Sequence, residues 1–256
     1  MNLSENHCPH WLHWLDTCPS TTTWAIENAA YLNHGDVVFT QKQTAGRGQN
    51  GRTWHSPAGV LTASVILTQI PSDQLPELSL AAGLSVIYAV EDLAIDCQNR
   101  FSLKWPNDIL FNGRKLAGIL CEASSLGAEG RVVVGIGLNR CVEVKHETLK
   151  AISHQVISLH QISATVPTEL ELLAQFRSYL MQLAGLLRYQ NNRSGHGFSA
   201  LLPSLRQRDA LIGQMITLEV GQKQIVGQAA GISDRGYLLL RLQSAEIHAF
   251  ASGHIL

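Results

Sequence analysis

The sequence predicts an α+β fold in which a mixed β-sheet packs against helices and a small β-barrel follows. Helical and strand-like patterns alternate up to about residue 189, whereas the segment from residue 211 contains only short strand-like runs separated by turns. Four or five short strands within about 45 residues are typical of a small barrel. We therefore predict two domains, a larger one over residues 1–208 and a smaller one over residues 209–256.

Local signals predict the elements of the larger domain in order. Ser20 and Thr21 offer N-cap hydroxyls to a helix over TTWAIENAAYL. Strands are predicted at GDVVFTQKQ and VLTASVIL, and Pro76 lies in the first turn of a long helix, PELSLAAGLSVIYAVEDLAI. The short strands FSLKW and DILF come next, and Asn112-Gly113 predicts a tight hairpin into RKLAGILCEA. An apolar strand, GRVVVGIGLN, and an amphipathic helix over residues 167–189 complete the domain.

Composition excludes several classes of protein. The formal net charge is −1, without the basic surplus of a nucleic-acid-binding protein. The five cysteines are odd in number and form no C-x-x-C, which favours a reducing compartment. The first residues lack the regions of a signal peptide, and the longest apolar run is too short to span a bilayer. We therefore expect a cytoplasmic protein with no nucleic-acid and no membrane partner.

The glycine-rich stretch TAGRGQNGRTWHSPAGV formally contains G-x-G-x-x-G. A dinucleotide-binding loop would open directly into a helix, but here a Ser-Pro-Ala-Gly turn leads into another strand. A P-loop is excluded because no Gly-Lys-Ser/Thr follows. The residues alone leave two interpretations. One is a flexible surface turn, and the other is an anion site in which Arg47 and Arg52 grip a carboxylate or phosphate beside Trp54.

A second polar group lies along SLKWPNDILFNGRKLAGIL. In an ordinary hairpin, its members would be solvated edge residues: Lys104, Asn107, Asp108 and Lys115. The Trp-Pro pair interrupts strand pairing because proline has no N–H, and a kinked strand end would turn Asn107 and Asp108 into a pocket. Gly118, inside the return strand, also indicates close approach by a ligand or by backbone.

Together these motifs resemble those of the biotin protein ligase family. The match comprises STTTWA, QTAGRGQNGRTWHSPAG, KWPNDILFNGRKLAGILCE and VVVGIGLN in the family's order, and the segment from LIGQMITLEV to ASGHIL resembles the family's small SH3-like domain. The resemblance covers nearly the whole chain past residue 15. It implies a catalytic domain of the kind shared by biotin synthetases and class II aminoacyl-tRNA synthetases, followed by the SH3-like domain.

The resemblance also implies the chemistry. The biotin carboxylate would attack ATP, with Mg²⁺ present, to give biotinyl-5′-AMP and pyrophosphate. A lysine of the biotin carboxyl carrier protein of acetyl-CoA carboxylase would then displace AMP. The implied catalytic cations are Lys115 and Arg47. The implied biotin contacts are Ser20, Thr21, Gln43, Gly46, Arg47, Gly48, Lys115 and Gly118. The implied ATP contacts are Arg47, Arg52, Trp54, Asn107, Asp108, Lys115 and Asn139, and Asp108 is also the candidate metal ligand.

The chain departs from the family pattern at several positions. Gln49 and Asn50 stand where the family loop often carries arginines, and Thr22 replaces an asparagine. We expect Gln49 to hold the adenylate less firmly than an arginine would. Only 19 residues precede Ser20, which is too short for the three helices of a DNA-binding domain of about 11 residues each, so we predict no repressor role.

Two other functions remain open at this point. A lipoate–protein ligase resembles this family in fold and in adenylate chemistry. A non-catalytic module would hold biotin or the carrier domain without reaction, although the retained cations argue against it.

Two further regions invite an interpretation. His7, His10 and His13 lie near Cys8, but Pro9 breaks their spacing, so we expect a mobile or loosely packed N-terminus rather than a metal site. A sheet edge near GRVVVGIGLN would allow pairing between chains, which leaves a homodimer open.

Overall fold

The structure, a computed structural model, describes residues 9–124, 130–142, 155–188 and 197–256. Within these ranges a seven-stranded sheet comprises β1 (Leu12–Leu15), β2 (Val37–Thr40), β3 (Val60–Leu67), β4 (Phe101–Lys104), β5 (Asp108–Phe111), β6 (Arg114–Ala123) and β7 (Val132–Asn139). The α-helices are α1 (Thr21–Glu27), α2 (Leu75–Leu93), α3 (Glu169–Arg188) and α4 (Leu202–Arg208). A second, five-stranded sheet comprises β8 (Met215–Val220), β9 (Lys223–Ile232), β10 (Leu238–Arg241), β11 (Ile247–Phe250) and β12 (His254–Ile255).

The first sheet has the strand order β1-β2-β3-β7-β6-β5-β4, with β1 parallel to β2 and the remaining pairs antiparallel. Every residue of β3 is buried because helices cover both faces of the sheet centre. Successive side chains point to opposite faces, so Leu61 and Val65 join the main core with α2 and α3. Ile66 and Val133 join a smaller core with Ala25 of α1.

Local sequence signals located most of these elements. The predicted strands VLTASVIL and RKLAGILCEA coincide with β3 and β6. Asn112 and Gly113 have φ of 49° and 75°, which suits a tight turn, and they join β5 to β6 in the predicted hairpin. The first helix is shorter than predicted, because the Asn28 side-chain amide donates to the Trp24 carbonyl and α1 ends at Glu27.

Two expectations about the first sheet were wrong. Residues 12–15 are not loosely packed, because they form β1 beside β2, and His13 Nε2 lies 3.1 Å from Asp36 Oδ2. His10 lies in an exposed turn, and His7 and Cys8 fall outside the described residues. The strand GRVVVGIGLN is not a sheet edge either, since β7 lies between β3 and β6 with both sides paired.

The second sheet confirms the predicted run of short strands and has the order β11-β10-β9-β8-β12. It is fastened to the first sheet by Trp105, whose indole N–H donates to the Gly236 carbonyl at 3.0 Å. An ion pair joins Arg235 Nε to Glu77 Oε1 of α2 at 3.0 Å. The boundary at residue 208 stays a prediction.

Across the parts of the chain that the structure describes, none of the helices has the length and apolar character of a membrane span.

Candidate active site

Three glycines leave one face of the first sheet without side chains at its centre. Gly118 of β6 pairs with Gly137 of β7, and Gly135 of β7 pairs with Ser64 of β3. A Cβ at Gly137 would lie 2.2 Å from Cε2 of Trp54, so a side chain there has no room. The backbone of β6 and β7 thus forms the floor of a cavity of about 150 Å³.

Hydroxyl groups from the start of α1 lie against this cavity. Ser20 caps α1 by accepting from the Thr23 amide at 3.4 Å, so the structure selects Ser20 from the two predicted N-cap residues, Ser20 and Thr21. Thr21 and Thr22 therefore occupy the first turn. The Thr22 and Ser64 hydroxyls lie 3.0 Å apart, and the Ser64 hydroxyl donates to Thr21 Oγ1 at 2.9 Å. These buried hydroxyls form a rigid polar wall beside the glycine floor.

Gln43 extends the polar wall from the segment after β2. Its Oε1 accepts from the Thr21 amide at 2.8 Å, and its Nε2 donates to Ser56 Oγ at 3.1 Å. The side-chain amide is therefore fixed in orientation. A ligand that carries both donors and acceptors on a small ring suits such a wall.

Lys115 and Asp108 form an ion pair at one end of the cavity, with 2.6 Å between Nζ and Oδ1. The β5–β6 hairpin brings them together, because Asp108 lies opposite Gly118 and the register shifts between Ile109 and Leu110. Both side chains are partly exposed, at 31% for Lys115 and 22% for Asp108. The ammonium is thus oriented by one carboxylate and still accessible to an anion.

A second cavity of about 200 Å³ adjoins the first, and Lys115, Thr53 and Trp54 line both. Its other walls are largely apolar, with Val60 among them, and Asn139 lies at its edge. The Asn139 amide nitrogen donates to the carbonyl oxygens of Lys115 and Ile157, at 3.3 and 3.2 Å. Lys115 therefore lies between a polar cavity and a largely apolar one.

The glycine-rich loop is a narrow hairpin that lies over the first cavity. The Gly48 amide donates to the Arg52 carbonyl at 2.7 Å, and the Trp54 amide donates to the Gly46 carbonyl at 2.9 Å. No helix follows it, since the chain runs from this loop into β3, so the dinucleotide interpretation does not hold. Gly46 is buried at the base of the loop, where a Cβ would lie 2.4 Å from the Trp54 carbonyl oxygen.

The two loop arginines are differently engaged. Arg47 donates to Glu122 Oε1 at 2.6 Å and to Thr23 Oγ1 at 3.4 Å, with 46% of its side chain exposed. Arg52 is exposed, and both arginines lie on the wall of the first cavity together with Gly48. The Arg47–Glu122 pair was not predicted, because the two residues are far apart along the chain.

Asn107 also lies on the cavity wall, but its contacts are structural. Its side-chain amide donates to the Ile119 carbonyl at 2.6 Å, and its own carbonyl accepts from the Ile119 amide at 3.0 Å. Asn107 thus anchors the turn between β4 and β5 to the strand that carries Gly118.

Asp108 is the carboxylate available to a magnesium ion here. Among the described residues, no three His, Cys, Asp or Glu side chains come together as a metal cage. One carboxylate nevertheless suits Mg²⁺, which is commonly held by one or two carboxylates, substrate phosphates and water. The residues present therefore fit an ion that arrives on a nucleotide.

The structure brings further residues to the first cavity that the sequence analysis did not single out as ligand contacts: Lys104, Gly135, Gly137 and His254. The two glycines carried a usable signal, because G-I-G inside an apolar strand puts both glycines on one face. His254 carried none, since it belongs to the second sheet.

Comparisons with known proteins agree with this geometry. Residues 14–139 match the biotin/lipoate A/B protein ligase family, and residues 211–256 match the biotin protein ligase C-terminal domain. The chain is 33% identical over 230 residues to the biotin--[acetyl-CoA-carboxylase] ligase of Paracoccus denitrificans, covering 87% of this chain and 90% of that one. It is 31% identical to the bifunctional ligase/repressor BirA of Salmonella typhimurium, covering 94% and 72% of the two chains.

A solved structure, the biotin protein ligase from Aquifex aeolicus in complex with biotin and ATP, superposes with a TM-score of 0.78 at 28% identity. The superposition covers 96% of this chain and 97% of that one. With relatives this similar over most of their length, the chain belongs to the biotin protein ligase family.

Proposed function

We propose that this protein ligates biotin, through biotinyl-5′-AMP formed from ATP, to a lysine of the biotin carboxyl carrier protein of acetyl-CoA carboxylase. The observation that carries the proposal is the position of Lys115, which lines both a polar cavity and an adjoining, largely apolar one. Relatives named as biotin--[acetyl-CoA-carboxylase] ligases give the substrate class.

In the first half-reaction the biotin carboxylate attacks the α-phosphorus of ATP and pyrophosphate leaves. Two anions must meet, and a cation 4 Å from one of them contributes about 4 kcal/mol at an effective dielectric constant of 20. Lys115 is the group that can approach both, with Asp108 orienting its ammonium. Arg47 and Arg52 would add donors from the glycine-rich loop.

The two cavities divide the substrates between them. Ser20, Thr21 and Gln43 would hydrogen-bond the ureido ring of biotin, while the bare backbone at Gly118 accommodates its apolar part. Trp54 and Asn139 would flank adenine in the second cavity. Mg²⁺ would neutralise charge on the ATP phosphates, and Asp108, on the wall of the first cavity, is the residue that would contact it.

In the second half-reaction the acceptor lysine attacks the acyl carbon and AMP leaves. We propose that residues 1–208 form the larger domain, which carries Lys115, and that residues 209–256 form the smaller domain. The homodimer and the cytoplasmic location also stay predictions. Sedimentation velocity at micromolar concentration tests the homodimer, since a single species of 28.0 kDa would contradict dimerisation.

Biotin-dependent exchange of pyrophosphate into ATP, without carrier protein, tests the function directly. We expect exchange with biotin and none with lipoate. Lys115→Ala should abolish exchange, whereas Lys223→Ala, a change at an exposed lysine of β9, should leave it at the wild-type rate. Exchange with lipoate alone would assign the lipoate ligase instead. Absence of exchange with either acid would favour a non-catalytic binding module.

A further inference from the structure

The second sheet contributes residues to the wall of the first cavity. β12 pairs antiparallel with β8, so that His254 lies opposite Glu219 and Ile255 opposite Leu218. Both line the cavity that Asp108 also lines, Ile255 as a buried apolar residue and His254 as a half-buried one. The second sheet therefore contributes a titratable side chain to the active site.

The cavity contains few groups that can take up a proton. Within the described residues its titratable side chains are the cations Arg47, Arg52, Lys104 and Lys115, together with Asp108 and His254. Asp108 is engaged by the Lys115 ammonium at 2.6 Å. The His254 ring makes no hydrogen bond to any residue in the described ranges. Its nitrogen lone pair is therefore freer than the Asp108 carboxylate to accept a proton.

The surroundings of His254 keep the ring neutral. Partial burial, and then the positive charges of Arg52 and Lys104, lower the pKa of His254 below its ordinary value of 6.5. The negative charges of Glu219 and Asp108 raise the pKa of His254, but their effects are smaller. At neutral pH the imidazole is therefore unprotonated and able to accept a proton.

We propose that His254 is the general base of the second half-reaction, taking a proton from the acceptor lysine as its nitrogen bonds to the acyl carbon of biotinyl-AMP. This inference rests on the function proposed above. The lysine ammonium first loses one proton to solvent, which the surrounding cations favour by lowering its pKa. The amine lone pair then forms the N–C bond, the nitrogen gives its extra proton to the imidazole, and the C–O bond breaks with its electron pair leaving on AMP.

The test separates the two half-reactions in the full-length protein. His254→Gln keeps hydrogen-bonding capacity but cannot accept a proton near neutral pH, and His254→Asn gives a second such variant in case the first fails to fold. His248→Gln is the matched control, because His248 lies exposed on β11 and does not line the cavity. The assays are biotin-dependent pyrophosphate exchange, the off-rate of biotinyl-AMP, and single-turnover transfer from preformed biotinyl-AMP to a purified biotin carboxyl carrier domain.

We expect His254→Gln to slow transfer on the order of 10²-fold at pH 7, with exchange and the adenylate off-rate within about twofold of wild type. The wild-type transfer rate should fall as the pH drops through the pKa of His254, and the variant should lose this limb. Transfer at the wild-type rate would overturn the inference. A parallel loss of exchange and transfer would also overturn it, since His254 would then bind the adenylate. Absence of exchange in the wild type would instead refute the proposed function.

Discussion

Gly137→Ala tests the idea that bare backbone forms the floor of the active site. A Cβ at this position would lie 2.2 Å from Cε2, 2.3 Å from Cζ2 and 2.5 Å from Nε1 of Trp54. Ordinary contacts between such atoms are about 3.5–4.0 Å long, so the indole must withdraw by roughly 1 Å or more. Because Trp54 lines both cavities, the displacement affects the sites proposed for biotin and for adenine.

The size of the effect follows from the overlap. Adding a methyl group to a filled site costs about 1–3 kcal/mol, which corresponds to roughly 5- to 150-fold in an equilibrium constant. We therefore expect Gly137→Ala to bind biotin roughly 5- to 150-fold more weakly than the wild type does. Pyrophosphate exchange at limiting biotin should fall by at least as much, since a reacting group displaced by about 1 Å can lose a further 10²-fold.

Calorimetric titration with biotin measures the first quantity, and pyrophosphate exchange measures the second. Gly185→Ala is the control, because Gly185 lies within α3 and a Cβ there meets no atom within 4 Å. We expect the control to keep wild-type activity and to gain about 0.5–1 kcal/mol in stability. Wild-type biotin affinity and exchange in Gly137→Ala would refute the assignment of this floor to the active site.

Three further changes test other parts of the site. Gln49→Arg adds a cation to the loop over the cavity, so biotinyl-AMP should dissociate about two- to fivefold more slowly; equal off-rates in a stopped-flow assay would contradict this. Asp108→Asn removes the carboxylate that orients the Lys115 ammonium, and pyrophosphate exchange should drop by at least roughly tenfold while the thermal midpoint changes little. Trp105→Phe leaves the Gly236 carbonyl without its buried donor, which should lower the free energy of unfolding in urea by about 1–3 kcal/mol. An unchanged value would show that the Trp105–Gly236 hydrogen bond does not hold the sheets together.

The sequence predicted those elements whose signals are local. β3 and β6 follow from apolar and β-branched runs bounded by turns, and the hairpin at Asn112 and Gly113 follows from backbone conformations that few other residue pairs adopt. The cations of the candidate site could be named from the sequence because they lie in two short blocks, whereas the floor glycines Gly135 and Gly137 lie in a third segment, β7.

What the sequence left open depends on pairing between distant segments. β1 is only four residues long and joins β2 through a parallel pairing across 25 residues, as from Leu12 to Val37, so no local pattern announces it. The central place of β7 was missed because an apolar strand does not reveal which neighbours cover its edges. The Arg47–Glu122 ion pair likewise arises only when the glycine-rich loop is brought against β6.

The contacts between the two sheets explain why a small C-terminal unit takes part in an active site built on the larger one. Trp105 donates to Gly236 from the same turn that presents Asn107 and Asp108 to the cavity. Any rotation of the second sheet would therefore disturb the turn that orients Lys115, and would also withdraw His254. The second sheet thus forms part of the cavity wall, through His254 and Ile255 of β12.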